Sequence, residues 1–454
     1  MRIPIHAVPS RAPKRSMLGY WPRVTYVVGA LVLSFIHPAP PAAQAAEPAP
    51  HLTLEAALYA AEQRSLALAA QDLAVDAARE MAVAAGRLPD PMLELGVDNL
   101  PVEGPMRFSL SDDFMTMRTV GLTQMLTRTE KRRARSARFE REAEVAHTQK
   151  AVELATLQRA TALAWFERHY RERLIELLGR QREEAVLQVE AAEAAYRGAR
   201  GSQADVFVAR AAVARIDDAI LDTRASLGRD VVMLARWVGA AAHAPLGDAP
   251  DISRAPPGAE APEHQLDRHP DVALMAAKEA VARAEADVAR EDRQADWSLS
   301  VMYSRRGSGF GDMVSVGVSV PLQWDRRNRQ DRELAAKLAG VEQARAEREE
   351  TARVHLAEVR GVLARWQGNL QRLAEYERSI VPLATNGTQA VLAAYRGGQA
   401  PLAAVLDARR AEIETRIAQL RIEMETAALW SELAYLVPET GMQRGAVSGE
   451  EYAK

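Results

Sequence analysis

The chain is written twice. Residues 65–97, SLALAAQDLAVDAAREMAVAAGRLPDPMLELGV, align without a gap on residues 271–303. Ala67/Ala273, Leu68/Leu274, Ala74/Ala280, Val75/Val281, Asp90/Asp296 and Leu93/Leu299 match. MRTVGLTQML from Met117 then aligns with MVSVGVSVPL from Met313, and AAYRGARGSQADVFVAR from Ala194 with AAYRGGQAPLAAVLDAR from Ala393. A repeat of about 200 residues means one architectural plan built two times over. Each half reads as helix, strand, loop, strand, very long helix, turn, helix. The first copy runs over 46–238 and the second over 263–436. Between them lies a Pro/Gly/Ala-rich linker, 239–262, expected to be irregular, and a polar tail occupies 437–454.

The long helices exceed what a globule needs. From Glu130 to Gly198 there is no proline, and Gly179 is the sole glycine before Gly198. A helix of that length spans roughly 100 Å at ~1.5 Å per residue. Leu163, Phe166, Tyr170, Leu174 and Leu177 recur at three- and four-residue steps. So do Val359, Val362, Trp366, Leu370, Leu373, Tyr376, Ile380 and Leu383 in the second copy, over about 328–397. These are coiled-coil spacings. Pro382 interrupts the second helix and predicts a bend or short break. Both helices end in Tyr-Arg-Gly, at Tyr196-Arg197-Gly198 and Tyr395-Arg396-Gly397. The glycines are expected to take the left-handed cap that closes a helix. Return helices follow at 202–238 and 401–436, the second opening on Pro401, which suits a first turn.

Four segments alternate with period two: 91–99, 116–126, 297–304 and 312–320. Leu93, Leu95 and Val97 oppose Glu94, Gly96 and Asp98; Val120 and Leu122 oppose Thr119, Gly121 and Thr123. Trp297, Leu299, Val301 and Tyr303 oppose Ser298, Ser300 and Met302; the valines 314, 316, 318 and 320 oppose Ser315, Gly317 and Ser319. A half-buried sheet of a soluble domain alternates too. Strands of about ten residues with one aliphatic and one small polar face also suit a barrel in an outer membrane, with Trp297 and Tyr303 as interface aromatics. Four strands cannot close a barrel, and lipid does not tolerate open edges. Several chains must then share one barrel.

The N-terminus reads as an export signal. Arg2, Arg11, Lys14, Arg15 and Arg23 precede the apolar run Val24–Ile36, and Ala43-Gln44-Ala45 offers a cleavage site, so 1–45 is expected to be removed. That removes five positive charges and takes the formal charge from -3 to -8. The balance of 58 Lys+Arg against 61 Asp+Glu gives no broad basic field for nucleic acid. Cysteine is absent, which excludes disulfides, thiolate metal sites and a Cys-linked lipid anchor.

With these residues in view, about 52–436 resembles the TolC family of outer-membrane efflux ducts. The likeness rests on the duplicated plan, the Tyr-Arg-Gly tips and the strand exits, Met125-Leu126 through Arg132-Arg133-Ala134-Arg135 and Pro321-Leu322 through Asp331-Arg332. It implies a mainly α fold with a small β part: a homotrimer with a shared 12-stranded barrel, four strands per chain, above a long periplasmic helical tunnel. It implies an outer-membrane location and contact with lipid. The tips, Gly198-Ala199-Arg200 and Gly397-Gly398-Gln399, would meet a periplasmic adaptor linked to an inner-membrane pump. The family's constriction maps onto Asp205 and Asp407, and its closed-state tyrosine onto Tyr395, with Tyr196 its counterpart in the first copy. Ala404 and Ala400 stand where a second acidic ring and a gating arginine can occur. Within the family, LPDPMLELGVDNLPVEGPMRFSLSDDFMTMRTVGLTQ followed by EKRRAR resembles the heavy-metal branch, whose pumps are of the resistance–nodulation–division type and whose cargo is metal cations.

Other constellations weigh less. Met92, Met106, Met115, Met117 and Met125 crowd one stretch; thioethers suit Cu(I) or Ag(I), though methionine also fills loops and barrel surfaces. Histidines 51, 147, 169, 243, 264, 269 and 355 show no metal-ligand spacing, and His269-Pro270-Asp271 reads as a helix start. Asp112-Asp113 reads as a solvated loop or a cation lure. Gly307-Ser308-Gly309-Phe310-Gly311 reads as a strand-joining turn, with no helix and lysine to make it a phosphate loop. No cofactor fingerprint or nucleophile–base pair emerges, so a conduit is expected and not an enzyme. Ducts for small organics or polypeptides, and a periplasmic coiled-coil scaffold, are the alternatives.

Overall fold

The computed structural model describes residues 51–256, 268–307 and 309–438. The export signal 1–45, part of the linker and nearly all of the tail lie outside the described residues. The order is α1 (Leu54–Arg64), α2 (Leu66–Ala85), β1 (Met92–Asp98), β2 (Met117–Leu126), α3 (Thr129–Arg197) and α4 (Gln203–Val238). The second copy follows as α5 (Pro270–Glu291), β3 (Trp297–Arg305), β4 (Met313–Ser319), α6 (Gln330–Glu375), α7 (Val381–Arg396) and α8 (Leu402–Ala434). The chain is mainly helical with one small antiparallel sheet.

The first copy opens on two helices where one was expected. Thr53 Oγ1 accepts from Ala56 N at 3.1 Å and starts α1. Ser65 then ends α1 in extended backbone and starts α2, its Oγ accepting from Leu68 N at 3.2 Å. A hydroxyl that satisfies an orphan amide makes a stop and a start from one residue. In the second copy His269 stands before α5 and Pro270 fills the first helical turn. α3 runs 69 residues through Gly179 without a break. The equivalent run in the second copy divides at a π-helical turn, Tyr376–Ile380, immediately ahead of Pro382 in the first turn of α7. A π turn widens the ring just where proline would clash with the carbonyl four residues back.

Burial concentrates halfway along α3. Trp165 and Phe166 are fully enclosed with Leu58, Leu234 and Tyr170. Leu163, on the expected seam, is instead 41% exposed. The seam reading assumed one partner stripe, but α3 is clasped by α1, α2, α4, α5 and α8, so Trp165 turns inward as well.

The linker is more ordered than its composition suggests. Gly239–His243 forms a 3-10 turn, and Leu246 bridges Leu52 in parallel. Indole N–H groups pin the rest: Trp366 donates to Ile252 O and Trp430 to Arg254 O, both at 3.1 Å, while Trp165 donates at 2.9 Å to Leu52 O, on the segment that Leu246 bridges. Arg168 donates to Ala242 O at 2.6 Å. Backbone carbonyls with no ladder thus find donors in the helices they cross.

Candidate functional site

The four strands form one sheet in the order β1-β2-β3-β4, all antiparallel. Register settles which side chains share a face. Leu95, Val120, Tyr303 and Val314 lie in one row; Leu93, Leu122, Val301 and Val316 lie in the next. The opposite face carries Gly96, Thr119, Ser304 and Met313, then Glu94, Gly121, Met302 and Ser315. The aliphatic face lies open: Leu95 is 72% exposed and Val314 and Val316 are each 68% exposed. None of the described residues covers it, and β1 and β4 each have an unpaired edge within the sheet. A bare apolar face with open edges is unstable in water. No described helix is long and apolar enough to cross a membrane.

Aromatic residues bracket that face. Trp297 pairs with Leu126 at the helix end of the sheet, and Tyr303 lies toward the loop end, six residues along β3, about 20 Å at ~3.4 Å per residue. Trp324, just past β4, is 88% exposed and was missed by reading the sequence. The signal was present: a bulky aromatic a few residues beyond an alternating segment.

The helix end is held by charge. Lys131 Nζ lies 2.7 Å from Asp292 and 2.8 Å from Asp296. Asp296 also accepts from Arg128 N at 3.2 Å. Burial works against the charge on Lys131, yet its two carboxylate partners outweigh burial and hold its pKa above the ordinary value. Burial likewise opposes the Asp296 charge, and Lys131 with the Arg128 N–H still brings its pKa down. Arg132 donates to Gly86 O at 3.1 Å, and Gln124 to Pro89 O at 2.8 Å. Strand exits and entries are therefore tied across both copies.

At the other end, the two hairpin tips are built alike. Arg200 N donates to Ala195 O and Gln399 N to Ala394 O, both at 2.8 Å; Ala199 N reaches Tyr196 O and Gly398 N reaches Tyr395 O. These bonds satisfy the last carbonyls of each long helix. The left-handed residue is not the expected glycine. Gly198 and Gly397 have φ of -85° and -81°, and the turn falls one position later, on Ala199 (φ 54°) and Gly398 (φ 72°). The six-to-one bond closes around the second residue past the helix, so that residue bears the unusual backbone. Gly198, Ala199, Arg200, Gly397, Gly398 and Gln399 are all exposed.

The candidate gate residues part company. Asp205 accepts from Ser202 N at 2.9 Å and from Ser202 Oγ at 2.7 Å, while Ser202 Oγ accepts from Asp205 N at 3.2 Å. This reciprocal cap opens α4, and its hydrogen bonds lower the Asp205 pKa. Asp407 is exposed and borders an apolar cavity of about 360 Å³ between the hairpins, with Leu178, Ala212 and Leu406 on its walls. Tyr395 packs on a small tip core of Val206, Leu402 and Val405, whereas Tyr196 is 49% exposed. Sequence reading also missed Glu412. It is 3% exposed and accepts from Thr385 Oγ1 at 3.0 Å, from Arg416 at 3.1 Å and from Arg409 at 3.3 Å. Burial would raise its pKa, but these donors prevail and lower it.

The methionines do not converge as a group. Met117 faces Asp98 at one end of β1, whereas Met92 faces Thr123 at the other; Met106 and Met115 lie exposed in the β1–β2 loop. Asp113 accepts from Met115 N and Thr116 N, and Asp112 accepts from Ser109 and Ser111, so both acids serve loop turns. Gly307 passes so close to the first loop that a Cβ there would meet Ser111 O at 1.8 Å. Burial, helped by His355 and Arg159, pushes the His269 pKa down to about 3.

By fold, this long-helix chain with one small sheet is similar to outer-membrane channels of known structure. Residues 261–437 match the family described as outer membrane efflux protein. VceC, an outer membrane protein of Vibrio cholerae, superposes with a TM-score of 0.69 at 18% identity, over 85% of this chain and 96% of that one. CusC, whose structures concern folding and transmembrane channel formation, gives a TM-score of 0.69 at 15% identity over 85% and 92%. The MtrE outer membrane channel of Neisseria gonorrhoeae, in its open state, gives 0.66 at 16% over 86% and 90%. No curated protein matches by sequence. The fold is thus the TolC-like one, long helical hairpins joined to one four-stranded antiparallel sheet.

Proposed function

We propose that three copies of this chain form an outer-membrane exit duct, a passive conduit and not an enzyme. The observation that carries this is the sheet: one in-register aliphatic face, fully open, with both edges unpaired. Lipid satisfies the face, and neighbouring copies satisfy the edges. The match of 261–437 to outer membrane efflux proteins and the channel fold support the same reading. α6 agrees with it. Of its 46 residues only Val359 and Trp366 are buried by the chain itself, while apolar Leu66 and Leu73 on α2 stand 84% and 70% exposed. Helical faces left bare in one copy are available to the next.

The absence of cysteine makes a direct test possible. Glu94→Cys in β1 and Ser315→Cys in β4 place thiols on the two edge strands. Oxidation of membranes carrying the double variant is expected to yield covalent dimers and trimers on a denaturing gel. Monomer alone would remove the shared barrel. A scaffold would extract in buffer without detergent; a barrel would not.

The cargo is proposed to be heavy-metal cations, delivered through a periplasmic adaptor that meets the exposed tips and an inner-membrane pump of the resistance–nodulation–division type. The metal reading rests on the resemblance of residues 88–124 and EKRRAR to the heavy-metal branch; CusC superposes no better than VceC. Growth of a deletion strain, metal by metal, decides between this and small organic cargo. In the gate, Asp407 is the freer carboxylate, since Asp205 is committed to a helix cap. Asp407→Ala is expected to change single-channel conductance more than Asp205→Ala, and unaltered conductance in the double variant would end the gate assignment.

A further inference from the structure

One buried cluster belongs neither to the sheet nor to the tips. His269, at the start of α5, and His355, midway along α6, lie with ring centroids 3.6 Å apart and planes at 52°. Asp271, two residues along from His269, brings a carboxylate to the same place. One ligand atom from each of the three lies within 4.8 Å of the other two. His269 is only 5% exposed, and neither of its ring nitrogens has a hydrogen-bond partner. His355 is 12% exposed in its side chain, with Nε2 also unpartnered. Three buried imidazole nitrogens without donor or acceptor are unusual in one spot, because such atoms are nearly always satisfied in a folded chain.

We infer that His269, His355 and Asp271 form a binding site for a divalent transition metal of the Zn(II) class, built into the wall of the second repeat. Two imidazoles and a carboxylate are the ligand set of borderline cations; the set has no thiolate or thioether for Cu(I). A tetrahedral ion with bonds of about 2.0–2.2 Å holds its ligand atoms roughly 3.3 Å apart. Small rotations of side chains already within 4.8 Å reach that separation. Glu358 lies 3.9 Å from His355 Nδ1 and adds a second negative charge at the rim. Arg159 is the opposing charge; it reaches a cavity of about 420 Å³ that His355 and Glu358 also line, and that space leaves room for a water as fourth ligand. The site joins the first turn of α5 to the middle of α6, so an ion there staples the start of the second repeat to its long helix. It lies in residues far apart in sequence, which is why spacing alone gave no metal signature. It does not depend on what the duct carries: the ion is resident and not cargo.

The test uses the full chain in detergent, purified without a polyhistidine tag, stripped with chelator and then titrated with Co(II) and Zn(II). One tightly held ion per chain is expected, with visible ligand-field bands for Co(II) of low coordination number and a rise in melting temperature that saturates at one Zn(II). His269→Gln and His355→Gln should each abolish the bands, and Asp271→Asn should weaken binding at least tenfold. His147→Gln should change nothing. Size-exclusion of each variant checks that assembly survives. The wild-type Co(II) spectrum needs no variant at all: octahedral, weak or sub-stoichiometric binding overturns the site, as does an ion retained by the His269→Gln, His355→Gln double variant. Metal-sensitive growth of a deletion strain reports on cargo alone, so the two readings fail separately.

Discussion

The two hairpins are the same object secured in different ways. Each ends in Tyr-Arg-Gly, and each closes with the same pair of backbone hydrogen bonds, at the same distances within 0.1 Å. The side-chain chemistry differs. The first hairpin rises on an unbroken α3, turns on Ala199 in left-handed backbone, and starts α4 with the Ser202–Asp205 cap. The second rises through a π turn and Pro382, turns on Gly398, and starts α8 on Pro401 with no side-chain cap. It has Glu412 buried between its helices instead. Backbone geometry is common to the pair, and the means of holding it have drifted. The first hairpin is stiff along its length and strained at its tip. The second is relaxed at its tip and interrupted along its length.

Each part of this contrast can be broken. The largest effect is expected at Glu412. Glu412→Ala removes the carboxylate partner of Arg416 and one of two partners of Arg409, which keeps Glu184 at 2.9 Å, and should cost about 3 kcal/mol, toward the low end for a broken buried pair because Arg416 also reaches water. Because the folded carboxyl is held below its ordinary pKa of 4.5, its contribution is present above that pH and lost as pH falls through the lower folded value. Melting curves in detergent across that range should lose this pH dependence in Glu412→Gln.

Pro382→Ala comes next. It restores an amide and should slow hydrogen exchange over 376–381 about tenfold, which corresponds to ~1.4 kcal/mol. No slowing there would mean that the π turn has another cause. Asp205→Ala removes the reciprocal cap and should cost about 1 kcal/mol, with faster exchange in the first turn of α4, whereas Ala404, its aligned neighbour in the second copy, has no cap to lose. The smallest effect is at the turns. Ala199→Gly should stabilise, and Gly398→Ala destabilise, each by roughly 0.5–1 kcal/mol, because alanine resists left-handed backbone. If both changes go the same way, the tips are not alike.

Much of this fold could be read in advance because its signals are periodic. Alternation along Leu93–Val97 and Val314–Val318 places every side chain on a face, and the pairing adds only which rows meet. The long helices announce themselves by the lack of proline. What escaped was local competition and distant meetings. Ser65 splits the first helix because one hydroxyl can cap it, yet serine also sits inside helices, so the residue alone does not say which. The left-handed turn fell one residue beyond the glycine because hydrogen-bond closure, and not residue type, selects its position. Trp165 lay off the expected stripe because α1, α4 and α8 all pack on α3 there. The cap that Asp205 makes with Ser202 was not read from its aligned position, and Glu412 carried no motif at all. Nothing in the sequence joins His269 to His355.

The even number of strands has a consequence for exposure. With four antiparallel strands, the chain enters and leaves the sheet on one side, so every helix and both tips lie there. On the far side, among the described residues, remain only the β1–β2 connection, through Phe108 and Phe114, and the β3–β4 connection at Phe310. If the sheet sits in an outer membrane, those two loops are what the described residues present to the surroundings of the cell. An antibody, a phage or an inserted epitope would find its foothold there, and the first loop, the longer by about ten residues, is the one with sequence to spare.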